Sequence, residues 1–173
     1  NQTDGLPEQI CKAIQTAADR VRAYHEKQLP QDLSFNDDLK STLGYMWKPL
    51  ETAGIYVPGG TASYPSTVLM NAIPAMVAGV KDIVMASPLT DGEINPSVLY
   101  AAKIVGIKKI YCMGGSQAVA AMAYGTESVV PVNKIVGPGN VYVAEAKRQV
   151  SGFVGIDMFA GPSEIVVISD QDS

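Results

Sequence analysis

Residues 134–147 read KIVGPGNVYVAEAK, and the fold is decided by how this stretch is read. Lys134 to Val136 can end a short strand, and Asn140 to Gln149 has helical spacing, with Val141, Ala144 and Val150 on one side. Between them lies Gly137-Pro138-Gly139-Asn140. Glycine tolerates backbone angles that other residues resist and lets a ligand come close to the main chain. A helix beginning there points free N–H groups and its positive dipole end back at the turn. A strand, a glycine turn and a helix N-terminus can hold a phosphate, a ribose or a polar substrate group. The same sequence also suits a tight connection with no ligand.

The pattern recurs. Tyr56-Val57-Pro58-Gly59-Gly60 follows the strand-like Ala53-Gly54-Ile55, and a helix follows it. Met113-Gly114-Gly115-Ser116-Gln117 follows Lys109-Ile110-Tyr111-Cys112, again ahead of a helix. Ala160-Gly161-Pro162-Ser163 precedes the apolar run Ile165 to Ile168. In a parallel α/β sheet every strand-to-helix turn emerges on the carboxyl edge, where ligands bind in the crevice. At least three of these turns would then share one rim.

Taken in order, the chain begins with helical spacing from Pro7 to Leu29, where Ile10, Ile14, Ala17, Val21 and Tyr24 recur at three- and four-residue steps. Residues 30–44 are polar and turn-rich; Tyr45 to Leu50 and Gly54 to Val57 read as two short strands of a hairpin. Helices are then predicted over 67–80, with a kink at Pro74, and over 96–105, 117–124 and 141–150. Strands are predicted over 82–86, 108–113, 134–136 and 164–169. Solidly apolar strands alternating with helices imply right-handed crossovers and a parallel sheet buried on both faces. The expected fold class is α/β, a doubly wound, mostly parallel sheet preceded by a helix and a short hairpin.

Composition narrows the function. The 173 residues are 47% apolar and 17% charged, as in one globular domain or a domain with a fragment of another. A net charge of -4 and a pI near 4.9, without any basic stripe, argue against a nucleic-acid partner. The most apolar window, Val68 to Val80, is too short to span a bilayer. Cys11 and Cys112 are isolated and read as reduced thiols, and no signal peptide is visible, so a cytoplasmic protein is expected.

The chemistry on offer is limited. There is no G-x-G-x-x-G, P-loop or G-x-S-x-G motif. One histidine, His25, sits in the first helix beside charged neighbours and reads as a helix residue. Two distant cysteines and scattered carboxylates show no zinc spacing. Glu127, Glu145 and Glu164 lie near turns and are candidate site carboxylates, or helix-surface and capping residues. Gln117 and Asn140, each at a helix start just past glycine, are the better polar candidates, acting as an N-cap or facing the rim.

Longer motifs carry a resemblance. YVPGG at 56–60, STVLM at 66–70, GG-x-QA at 114–118, YGTESV at 124–129, KIVGPGNVYVAEAKRQVSG at 134–152 and IDMFAGPSE at 156–164 together resemble histidinol dehydrogenase. They cover most of residues 45–169, and RVRAYHEKQ near the N-terminus is similar to the helix that family carries ahead of its nucleotide-binding domain. The resemblance implies a Rossmann-like nucleotide domain. It also implies a cytosolic enzyme of histidine biosynthesis that oxidises L-histidinol to L-histidine through histidinal, with two NAD and zinc. A homodimer is expected because the apolar stripe of the Pro7–Leu29 helix and the edge of the strand at 164–169 lack partners.

Carried over by position, Tyr56, Gln117 and Asn140 match the family's dinucleotide contacts, and Ser163 matches a substrate contact. The resemblance places residues 1–55 in part of the other large domain, 56–163 in the nucleotide-binding domain, and 164–173 as the first strand of the returning domain. The family's zinc-binding Gln-x-x-His and proton-handling Glu-His pairs have no counterpart in residues 1–173. No catalytic or metal-binding residue is therefore assigned, and the chain alone is expected to be inactive. A relative acting on another primary alcohol and a non-catalytic module of the same fold are the alternatives.

Overall fold

The computed structural model describes residues 5–59, 64–161 and 164–170. The first helix, α1, spans Glu8–Glu26 and starts behind Pro7, whose missing N–H costs nothing at a helix start. Its buried residues, Ile14 and Ala18, lie one turn apart and join the core under the next two helices.

A hairpin follows, earlier than the sequence predicts. Strands β1 (Leu33–Asn36) and β2 (Thr42–Tyr45) pair antiparallel, with Leu33 opposite Tyr45. The Asp37 carboxylate closes the turn by accepting from the Leu39 and Ser41 N–H groups at 2.9 and 2.8 Å. An Asp side chain that satisfies local amides makes a turn where composition suggests only a loop. The hairpin predicted between 45–50 and 54–57 does not form. Thr52–Tyr56 is instead β3, the middle strand of the main sheet. Its last four residues are all buried, which an exposed hairpin could not provide.

The main sheet contains β3, β4 (Asp82–Ala86), β5 (Lys109–Tyr111), β6 (Lys134–Val136) and β7 (Gly155–Ile156), in the order β5-β4-β3-β6-β7. All four pairings are parallel. Helices α2 (Pro65–Val77), α3 (Pro96–Ile104), α4 (Gly115–Tyr124) and α5 (Val141–Val150) connect these strands. Asn95 starts α3 by accepting from the Ser97 N–H at 2.9 Å, with Pro96 in the first turn.

Side chains alternate across the strands, so each face has its own core. Ile55, Val57 and Met85 pack with α1, α2 and α3; Tyr56, Ala86 and Ile135 pack with α4 and α5. At the amino edge, β3 is tied to the residue preceding β6 by side chains. The Thr52 N–H and hydroxyl both donate to Asn133 Oδ1 at 2.9 Å, and the Asn133 N–H donates to Thr52 Oγ1 at 2.9 Å, across 81 residues.

The predicted strand at 164–169 is not formed. Residues 164–170 have no regular structure, and Ile165 to Ile168 are exposed. A β-run needs a neighbouring strand for its backbone groups, and among the described residues this one has none. No described helix is long and apolar enough to cross a membrane.

Candidate functional site

From β3 the sheet is wound in both directions: β4 and β5 lie on one side, β6 and β7 on the other. The ends of β3 and β6 therefore flank the switch point, where the connections leave for opposite faces and a crevice opens. The residues at those ends are Tyr56 and Gly137.

Gly137 is the tightest point. Its φ is +118°, and a Cβ there would overlap the Tyr56 carbonyl oxygen, so only glycine fits. Both of its peptide groups are held by side chains. The Gly137 N–H donates to Asp157 Oδ2 at 3.0 Å, and Lys147 Nζ donates to the Gly137 carbonyl at 3.0 Å. Lys147 and Asp157 are also ion-paired. With Asn71, Pro138, Gly139 and Ala160 they line a cavity of about 230 Å³ beside the switch point.

The sequence-predicted residues fall around this point. Tyr56 is buried, its ring in the core beneath α4, and its hydroxyl accepts from the Gly115 N–H at 3.0 Å. Asn140 is the N-cap of α5: its Oδ1 accepts from the Tyr142 and Val143 N–H groups, both at 3.1 Å. That leaves its Nδ2 as the group able to donate elsewhere. Gln117 is exposed in the first turn of α4, where Gly114 holds the N-cap position. It lines a separate cavity of about 260 Å³ between α4 and α5, with Ser116, Tyr124 and Gln149. Tyr56 thus meets both glycine turns, whereas Gln117 lines the hollow between α4 and α5 and Asn140 follows directly on Gly139, which lines the other. Ser163 lies outside the described residues.

Other candidates are placed elsewhere. Glu127 and Glu164 are exposed. Glu145 pairs with Arg148 on the outer side of α5 and accepts from Arg148 Nε at 2.7 Å, Arg148 Nη2 at 2.6 Å and Gln149 Nε2 at 2.9 Å. The Arg148 hydrogen bonds, then the one from Gln149, hold its carboxyl at about 2. The His25 ring packs edge-on against Tyr24, with centroids 5.3 Å apart. Among the described residues no three His, Cys, Asp or Glu side chains gather where they could hold a metal ion.

Sequence reasoning missed the Lys147–Asp157 pair. The buried face of α5 is Val143, Lys147 and Val150, whereas Val141, grouped in the sequence on one side with Ala144 and Val150, is 72% exposed. The available signal was Lys147 itself, in helical phase with Val143 and Val150. A charge on a buried stripe demands a partner. A cavity of about 410 Å³ lies at the amino edge among Thr52, Asp82, Lys108 and Lys109, away from these turns.

Comparison with known proteins agrees with this architecture. The family model described as histidinol dehydrogenase matches residues 1–173. A histidinol dehydrogenase of Trichormus variabilis is 59% identical over 165 residues, covering 95% of this chain and 38% of its own length. One of Ruegeria pomeroyi is 57% identical over 170 residues, covering 98% of this chain and 39% of its own. The crystal structure of histidinol dehydrogenase from Elizabethkingia anophelis superposes with a TM-score of 0.87 at 43% identity, covering 91% of this chain and 37% of that one. The chain thus spans about two fifths of the relatives it matches, and it belongs to the histidinol dehydrogenase family.

Proposed function

We propose that this chain is the NAD-binding portion of a histidinol dehydrogenase, a cytoplasmic enzyme that oxidises L-histidinol to L-histidine through histidinal. The observation that carries the reading is the switch point between β3 and β6, where Tyr56 and the Gly137 turn meet beside the start of α5. Bound NAD supplies the hydride acceptor. The residues that fit it are Asn140, through its uncommitted Nδ2, together with Tyr56 at the strand end and Gln117 in the first turn of α4. The glycine turn lets the ligand approach the backbone. Ser163 is proposed to touch substrate, by its place in the AGPSE motif.

Zinc does not fit the described residues, because no cluster of potential ligands exists among them. The family's metal and proton-transfer pairs have no counterpart among residues 1–173. On this reading the nucleotide-binding domain expected over 56–163 extends back to Thr52, because β3 (Thr52–Tyr56) is its central strand. Residues 1–51 and 164–173 belong to the family's other large domain.

The proposed assembly is a homodimer. Phe35, Leu43 and Trp47 of the hairpin region and Ile165 to Ile168 are exposed apolar side chains that a second copy would cover. Light scattering tests it, with a dimer mass expected at tens of micromolar and a monomer mass counting against it.

The functional reading is tested by titrating the chain with NAD in an NMR experiment. Shifts are expected at Gly114, Gly137 and Asn140; shifts confined to the outer helix faces, or none, would remove it. The chain alone is expected to give no zinc-dependent reduction of NAD with histidinol. Activity should return on adding the C-terminal part of a relative.

A further inference from the structure

We propose that Lys147 and Asp157 are a positioning pair for the dinucleotide site, holding the Gly137 turn in the one conformation that presents Pro138, Gly139 and Asn140 to the ligand. This inference rests on the NAD reading above and names residues that act through the turn, without contact with reacting atoms.

Three observations carry it. Lys147 is only 6% exposed although it bears a full charge. The pair reaches both peptide groups of a single residue: Asp157 takes the Gly137 N–H and Lys147 gives to the Gly137 carbonyl, each at 3.0 Å. The two side chains come from opposite sides of the turn, Lys147 from α5 and Asp157 from the segment after β7. Gly137 itself is in a left-handed conformation with no side chain to lock it.

Lys147 is buried while the Asp157 side chain keeps 29% exposure. An ion pair whose cation is taken out of water is seldom worth more than a well-packed apolar pair of the same shape, so overall stability is a poor account of this one. What a charged, hydrogen-bonded pair does better is to specify one arrangement of the groups it touches. Here those groups are the peptide of a glycine that would otherwise sample several turns. The same two residues line the cavity of about 230 Å³ beside the turn, so loosening them changes the shape of the crevice wall.

The test uses the 173-residue chain and three variants: Lys147→Met, Asp157→Asn and the double Lys147→Met/Asp157→Asn. The double variant keeps the length of Asp157, shortens Lys147 by one atom and leaves no unpaired charge, and Asn still offers one oxygen to the Gly137 N–H. The Gly137 carbonyl loses its donor, and the Met158 N–H, which donates to Asp157 Oδ1 at 2.9 Å, faces the Asn NH2 and loses its acceptor. Its melting temperature should stay close to the parent's, while the dissociation constant for NAD rises about tenfold or more, the scale on which small misplacements act. Amide exchange at Pro138's neighbours Gly137 and Gly139 should quicken. Arg148→Ala, on the exposed side of the same helix, should leave affinity unchanged.

A folded double variant with parental NAD affinity overturns the proposal. So does affinity that falls only in step with melting temperature across the three variants, and so does failure of all three to fold, since the pair would then hold the fold and not the site. Absence of NAD binding by the parent chain strikes instead at the dinucleotide reading, and the two failures are told apart by that one control.

Discussion

The Tyr56 hydroxyl accepts the Gly115 N–H at 3.0 Å, so the end of the central strand caps the start of α4 from 59 residues away. Gly114, at the N-cap position, has no side chain to do this. Tyr56→Phe keeps the ring in the core but leaves that N–H without an acceptor. A loss of about 1 kcal/mol is expected, read as a lower urea midpoint with unchanged slope. NAD binding should weaken as well, because the first turn of α4 is no longer fixed. An unchanged midpoint would remove the hydrogen bond from the account.

Gly137→Ala places a methyl group against the Tyr56 carbonyl and strains a backbone angle of +118°. Strain of this kind costs about 1–3 kcal/mol on its own, and the overlap with β3 adds to it. The variant should unfold at markedly lower urea, or fail to fold. An alanine accommodated with less than about 0.5 kcal/mol of loss, the range of an ordinary surface change, would mean that the turn is looser than described.

At Asn140 capping and ligand contact can be separated. Asn140→Ala removes the acceptor for the Tyr142 and Val143 N–H groups and should cost about 1 kcal/mol. Asn140→Ser restores a capping oxygen but not the amide donor. Its stability should return to within a few tenths of a kcal/mol, roughly as caps exchange, while NAD binding stays weak. Calorimetry on the two variants decides it: full NAD affinity in the serine variant would confine Asn140 to capping.

Glu145 gives a pH prediction. Its folded carboxyl sits at about 2, below the ordinary 4.5, because Arg148 and then Gln149 donate hydrogen bonds to its charged form. A depressed carboxyl favours the folded state above the unfolded value, and that contribution disappears as pH falls from 4.5 toward 2. The pair is solvent-exposed, so the effect on stability is small. The site-specific titration is the better measurement. The Glu145 carboxyl carbon should titrate near 2 and move up toward 4.5 in Arg148→Ala.

Legibility in the sequence follows burial. The parallel strands are readable because both of their faces are covered, which forces continuous apolar runs such as Ile83 to Ala86. The glycine turns are readable because close backbone approach excludes other residues. The hairpin at 33–45 leaves no such mark: all eight strand residues are exposed, so no alternation records an inside and an outside. β7 is two residues long and offers no periodicity. The run at 165–168 has the composition of a strand but not the neighbour that makes one. Within the site, the turns and the polar residues near them could be named in advance. The Lys147–Asp157 pair could not, since its meaning depends on Asp157 returning beside Gly137 after a ten-residue helix and a two-residue strand.

The hydrogen bonds between Thr52 and Asn133 set an order of assembly. β3 meets β4 through one crossover helix, and β4 meets β5 through another, so that half of the sheet can form from contacts close in sequence. The other edge of β3 must wait for a chain segment 81 residues away. Closing so long a loop pays its entropy before its contacts return anything, which makes the step slow. The crevice lies on the late edge, between β3 and β6. On this order the early folded half has no crevice, and the crevice appears only when the last strands dock. Asn133→Ala should consequently speed unfolding far more than it slows the early folding phase, a difference that stopped-flow kinetics can measure.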